Sequence, residues 1–210
     1  MGRVRVLLAD DHSILLDALT KLLEPHFDIV GAVCDGRTLV AKVDQLRPDV
    51  VVLDISMPLL NGLDAAQQIK KMHPEIKLIF LTQNQEANLA VEAFRRKASG
   101  YIPKISAATE LITAISEVMK GNTYVSPLIA EALISTIGER SHVEKEADLT
   151  PREREVLQLL AEGKSMKEIG AILNISTRTV EFHKRQIMDT LRVKTNADLI
   201  RYAIRKGLIE

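Results

Sequence analysis

Five short apolar runs alternate with longer stretches in which apolar residues return every three or four positions. The runs span 4–9, 28–33, 50–53, 77–81 and 100–103, and each has the length and composition of a buried strand. Between them, Ile14, Leu15, Ala18, Leu19, Leu22 and Leu23 recur at helical spacing. So do Leu39, Val40, Val43 and Leu46, then Leu63, Ala66, Ile69 and Met72. Leu89, Val91, Ala93 and Phe94 follow the same rule, as do Leu111, Ile112, Ile115 and Val118. Pro48 and Pro74 stand where a helix must stop before the next strand. Five strand–helix units of this length predict a doubly wound α/β domain with a parallel sheet.

Pro103 narrows the strand order. Proline cannot donate to a sheet ladder and is tolerated at edges. The fifth strand is an edge in the flavodoxin-like order 2-1-3-4-5, which is therefore the expected topology. Gly121-Asn122 ends the fifth helix, so the first domain is expected over 1–121. Residues 122–147 read as a connection. Ser126 to Ile137 could form a short helix, and the polar, aperiodic run from Gly138 to Glu146 reads as a linker.

Helix punctuation becomes explicit over 148–210. Thr150-Pro151-Arg152-Glu153 supplies an N-cap, a proline at the first helical position and a capping glutamate. Ser165-Met166-Lys167-Glu168 repeats the capping box just after Gly163. Asn174 can close that helix in the left-handed conformation, and Ser176 can open the next. Thr195 to Asp198 starts a fourth helix that Gly207 ends. An all-α four-helix domain follows, and its second and third helices are joined by about three residues, the spacing of a helix-turn-helix.

The chain has 28 basic and 28 acidic side chains, but they are unevenly spread. Residues 148–210 hold 12 basic against 9 acidic groups, with Arg178, Lys184, Arg185, Arg192 and Lys194 close together. Such a segment suits a polyanion, although a solvated helix face has the same charge pattern. Cys34 is the lone cysteine, so no internal disulfide can form. No leader-like apolar stretch follows Met1, and no run approaches the ~18 apolar residues of a membrane span. A soluble, cytoplasmic protein without membrane contact is expected.

Polar residues close four of the strand-like runs. Asp10-Asp11 follow the first, Asp54 the third, Thr82 the fourth and Lys104 the fifth. In an open parallel sheet these ends share one carboxyl edge, where ligands bind. Three carboxylates, a hydroxyl and an ammonium suit a divalent cation and a phosphoryl group. Taken singly, each has a plain structural use: an Asp pair as a turn or cap, Thr82 and Lys104 as surface residues. Their coincidence at four strand ends favours chemistry. Gly62 is expected to supply a turn conformation costly for other residues. His12 is expected to face solvent without a role.

Asp10-Asp11, Asp54 with Met57-Pro58 and Gly62, then Thr82, Tyr101 and Lys104 resemble the receiver domain of two-component response regulators. Leu149-Thr150-Pro151-Arg152-Glu153-Arg154-Glu155-Val156-Leu157 and Ser176-Thr177-Arg178-Thr179-Val180-Glu181-Phe182-His183 resemble a LuxR-type DNA-binding domain. The pairing, in this order, resembles a NarL/FixJ-type response regulator over nearly the whole chain. The resemblance implies that Asp54 is the phosphoacceptor, loaded by a histidine kinase. It implies Mg²⁺ held by Asp10, Asp11, Asp54 and the Ser56 backbone carbonyl. Lys104 and Thr82 would bind phosphoryl oxygens, with Thr82 moving toward them and Tyr101 following inward as the switch.

Two departures stand out. Gln83 follows the threonine where receivers usually carry a small residue, so it is expected to restrict access to Asp54. Ile105 follows Lys104 where proline is frequent, which removes the reason for a cis bond there. Two rivals remain at this point. A phosphatase with an aspartyl-phosphate intermediate would want an aspartate where Ser56 stands. A phosphorylation-independent regulator would use its receiver as an interaction module.

With Val180, Ile187 and Leu191 facing the bundle, the opposite side of the third C-terminal helix carries Arg178, Glu181, Phe182, Arg185, Gln186 and Asp189. The resemblance places base contacts in double-stranded DNA on Glu181, Phe182 and Arg185. Lys164, Thr177, Arg178 and Lys184 are candidates for phosphate contacts, Lys184 weakly because it lies near the packed side. Such modules bind as dimers, so the active form is expected to be a homodimer. Inactive control would come from masking of that helix by the receiver or from withheld dimerisation.

Overall fold

A computed structural model describes residues 2–83, 87–139 and 149–209. Six parallel strands form one sheet: β1 (Arg5–Ala9), β2 (Asp28–Val33), β3 (Val50–Leu53), β4 (Lys77–Thr82), β5 (Gly100–Pro103) and β6 (Tyr124–Val125). Their order is β2-β1-β3-β4-β5-β6. The flavodoxin-like order thus holds for the five expected strands, and a sixth is added outside β5.

That addition changes the reading of Pro103. Gly100 and Tyr101 of β5 pair with Tyr124 and Val125 of β6, so β5 is not the outermost strand. The proline survives because β6 is only two residues long. It ends short of Pro103, whose one paired neighbour is Thr82. A two-residue strand buries too little to leave an alternation pattern in the sequence.

Five helices follow the strands: α1 (Ser13–Leu23), α2 (Gly36–Leu46), α3 (Gly62–Met72), α4 (Ala87–Arg95) and α5 (Ala107–Met119). They split the core into two layers. Leu16, Leu19, Leu23, Leu111, Ile115 and Val118 from α1 and α5 cover one sheet face. Leu39, Val43, Ala66, Ile69 and Ala90 from α2, α3 and α4 cover the other. Burial of β1, β3, β4 and β5 on both faces explains their unbroken apolar runs, whereas β2, at the sheet edge, buries only Val33 fully. Helix α6 (Pro127–Glu139) covers the expected short helix, and its Ile129 and Leu133 join the second layer. Most of the polar linker, from residue 140 through 146, lies outside the described residues.

The C-terminal helices are α7 (Pro151–Ala161), α8 (Met166–Leu173), α9 (Thr177–Leu191) and α10 (Asn196–Arg205). Thr150, Ser165 and Thr195 each complete a capping box, with Glu153, Glu168 and Asp198, and Ser176 caps α9. Each cap is typically worth about 1 kcal/mol. Asn174 has φ 53°, the left-handed stop expected of it. Val156, Leu157, Leu159, Ile169, Leu173, Val180, Ile187, Leu199 and Ala203 form a separate core. Gly170 keeps α8 and α9 close, because a Cβ there would lie 2.8 Å from the Ile175 carbonyl oxygen.

Candidate phosphoryl site and nucleic-acid interface

Pairing of β1 with β3 sets Ala9 beside Leu53, so Asp10 and Asp54 leave the sheet side by side. The Asp54 N–H donates to the Ala9 carbonyl at 2.9 Å and fixes that junction. Lys104 leaves β5 on the far side of β4 and reaches back across Thr82. Its Nζ lies 2.8 Å from Asp54 Oδ2 and 2.7 Å from Asp10 Oδ2. Only the Asp54 contact is aligned as a hydrogen bond, and Asp10 Oδ2 is buried without an aligned donor. Asp54 Oδ1 accepts from the Ile55 N–H at 2.7 Å. Asp10, Asp54 and Thr82 are buried, whereas Asp11 is exposed.

Burial pushes the Asp54 carboxyl up to about 6, against the pull of Lys104. Burial lowers Lys104, but its close contacts with the Asp10 and Asp54 carboxylates outweigh that and leave it raised. The site thus holds more negative charge than its single ammonium neutralises. One oxygen each from Asp10, Asp11 and Asp54, and a nitrogen of His12, lie within 4.8 Å of one another. The three carboxylates of this cluster, with a buried Asp10 oxygen lacking an aligned donor, fit a hard divalent cation such as Mg²⁺. Ser56 lines a cleft of about 160 Å³ beside Asp11. A larger cavity of about 240 Å³, lined by Arg47, Asp49, Glu75 and Lys77, lies toward the opposite strand ends and holds none of these residues.

Several details differ from the sequence reading. His12 is not idle in solvent: its Nδ1 lies 2.8 Å from Asp11 Oδ1 and 3.1 Å from Asp10 Oδ1. The Asp11 charge, then the Asp10 bond, raise its pKa. Gly62 does not have a positive φ, so turn strain is not its reason. It is needed for space, since a Cβ there would sit 1.9 Å from the Asp54 carbonyl oxygen. Tyr101 is fully buried in the core. Gln83 is exposed just after β4, and the Lys104–Ile105 bond is trans.

On α9, Arg178, Glu181, Phe182 and Arg185 are exposed together, while Val180 and Ile187 are buried. Phe182 is 58% exposed, high for an aromatic. Thr177 is exposed at the α9 start, and Lys164 and Lys184 are half-buried.

The receiver does not bury that face; it meets α7 instead. Asp64, at the start of α3, accepts from Arg154 Nε at 2.9 Å and from Arg96 at 2.7 Å. Arg37 on α2 donates to Glu155 at 2.6 Å. Gln158, fully buried, bonds Met57 and Asn61 in the segment after Asp54. In the sequence, Met57, Arg154 and Glu155 stand out only as parts of motifs, and Arg37, Asn61, Asp64, Arg96 and Gln158 belong to none. The available signal was Gln158 itself, a polar residue inside the apolar run Val156 to Leu160.

Residues 6–116 match the response regulator receiver domain, and residues 147–203 match the LuxR family of bacterial regulatory proteins. The chain belongs to the response regulators that join a receiver to a LuxR-type helix-turn-helix domain. It is 36% identical to the transcriptional regulatory protein MctR of Rhizobium johnstonii, over 99% of this chain and 96% of that one. It is 33% identical to the oxygen regulatory protein NreC of Staphylococcus epidermidis, over 99% and 100%. Among solved structures, the RcsB response regulator of Salmonella typhimurium aligns at a TM-score of 0.65 and 30% identity, covering 96% of this chain and 97% of that one. RcsB of Salmonella enterica serovar Typhimurium, bound to a promoter with the phosphomimetic BeF₃⁻, aligns at 0.60 and 29%, covering 96% and 98%.

Proposed function

We propose that this chain is a transcription regulator whose hold on DNA is set by phosphorylation of Asp54. The carrying observation is the Lys104 ammonium set between the buried Asp54 and Asp10 carboxylates at one sheet edge. An Asp54 oxygen attacks the phosphorus of the donor. The bond from phosphorus to the histidine nitrogen of a kinase breaks, or the bond to the acetyl oxygen of acetyl phosphate, and the leaving group departs. Asp10, Asp11, Asp54 and the Ser56 carbonyl would hold Mg²⁺, which offsets the repulsion between carboxylate and phosphoryl oxygens when bound. Lys104 and the Thr82 hydroxyl take phosphoryl oxygens that Asp54 alone would leave unpaired. The receiver thereby promotes its own loading and loss of phosphate.

Tyr101 contributes its packed inward state rather than a journey inward. Gln83 stands at the mouth of the site and slows entry of water and small donors. The structure-bearing units of this reading are a receiver over 1–121, a connection over 122–147 and a DNA-binding domain over 148–210. The sheet layer itself continues through β6 and α6.

On the DNA side, α9 enters the major groove as a homodimer's paired reading heads. Arg185 bridges a guanine edge, Glu181 accepts from cytosine and Phe182 touches a thymine methyl. Lys164, Thr177, Arg178 and, less directly, Lys184 take phosphates, which position without specifying. Among the described residues no helix is long and apolar enough to cross a membrane, which suits work in the cytoplasm. Intact-mass analysis after acetyl phosphate and Mg²⁺ tests the reading. One phosphoryl group is expected on the native chain and none on Asp54→Asn.

A further inference from the structure

The segment between Asp54 and α3 is held from the DNA-binding domain. The Met57 carbonyl accepts from Gln158 Nε2 at 2.9 Å, and the Asn61 N–H donates to Gln158 Oε1 at 2.8 Å. The Leu59 N–H donates to Glu162 Oε1 at 3.0 Å. Leu59 has φ 65°, a left-handed conformation unfavourable for a leucine. Its side chain packs against the core of the C-terminal domain. Strained residues persist where their surroundings over-determine them, and here the C-terminal domain adds its bonds to those the receiver makes within the loop.

The same segment carries Ser56. The cleft beside Ser56 and Asp11 is walled by Glu162, Leu208 and Ile209, all from the C-terminal domain. Glu162 brings a further carboxylate to it, and its Oε2 is buried without a donor.

We propose that Gln158 and Glu162 are positioning residues of the Asp54 site. Bound to Met57, Leu59 and Asn61, they hold the loop in its resting form and slow phosphoryl uptake. The coupling is reciprocal. A phosphoryl group brings a charge of about −1.5 to −2 at neutral pH, and repulsion from Glu162 then favours release of α7. This rests on the reading of Asp54 as phosphoacceptor and Ser56 as a metal ligand.

The test uses the full chain, acetyl phosphate and Mg²⁺, with Gln158→Ala and Arg154→Ala as variants. Arg154 pairs with Asp64 and touches none of the loop, so it loosens the contact from another point. Each variant is expected to load about five- to tenfold faster. Beryllofluoride affinity, read by fluorine NMR, is expected to rise about five- to tenfold, the low end of allosteric coupling. A gain cannot come from a damaged fold. Equal or slower loading in both variants, with the native chain loading at Asp54, overturns the coupling and leaves the site assignment standing. A native chain that never loads overturns both.

Discussion

Lys104 Nζ stands 2.8 Å from Asp54 Oδ2 while also lying 2.7 Å from Asp10 Oδ2, so one ammonium keeps two buried carboxylates together. Removing it leaves two like charges without a counter-ion. Lys104→Ala is expected to cost the metal-free chain about 2–4 kcal/mol in urea unfolding at pH 7, somewhat below a fully broken buried pair because Asp54 can take up a proton. Asp54→Asn removes a carboxylate that burial already disfavours. It is expected to stabilise the metal-free chain by about 1–3 kcal/mol. Opposite signs for the two variants are the diagnostic result.

Asp54 titrates near 6 in the folded chain against 3.8 for an ordinary aspartate. Because its folded value is raised, the fold favours the protonated form. The metal-free chain therefore gains stability as pH falls from about 6 toward 3.8. A cation needs the ionised form, so Mg²⁺ affinity is expected to fall as pH drops through about 6, with proton release on binding. Protonation of His12 beside Asp10 and Asp11 acts in the same direction, while Lys104 stays charged throughout. Calorimetric Mg²⁺ titrations at pH 7.5 and 5.5 in two buffers of different ionisation enthalpy check this.

Most of the receiver was legible because its central strands β1, β3, β4 and β5 are buried on both faces. Continuous apolar runs such as Val50 to Leu53 end at a residue of the carboxylate–lysine cluster, here Asp54, so pattern and cluster coincide. The exposed side of α9 was legible from Val180 and Ile187 turning inward. What stayed hidden depends on contacts across the chain. β6 is too short to alternate, and Gly62 is fixed by a carbonyl eight residues before it. His12 takes its place from the carboxylates of Asp10 and Asp11. Gln158 shows only as a polar break in an apolar run, and Glu162 as an ordinary polar residue, until Met57, Leu59 and Asn61 are set against them.

Burial raises Asp64, but Arg154, Arg96 and Asn61 outweigh it and leave its carboxyl below the usual 3.8. With a depressed folded value, its contribution is present above 3.8 and lost as pH falls below it. The α3–α7 contact is therefore expected to survive at pH 5 and weaken only in stronger acid. Hydrogen exchange at the Leu59 and Asn61 amides reads this directly, and Arg154→Ala is expected to speed both at neutral pH.

Arg185 and Arg178 are both exposed on α9 but are expected to behave differently. Arg185→Ala is expected to lose about 1–3 kcal/mol and relax preference at one base pair. Arg178→Ala is expected to weaken all sequences alike and flatten the salt dependence by about one ion. Binding to a panel of single-base operator variants at two salt concentrations separates them.

The central claim is that phosphate on Asp54 decides whether α9 engages a duplex productively. The direct measurement is operator affinity of the full chain and of Asp54→Asn, each with and without beryllofluoride and Mg²⁺. The expected result is tighter, dimer-forming binding by the native chain on addition, and no response from Asp54→Asn. Superimposable curves for the native chain under both conditions would contradict the account.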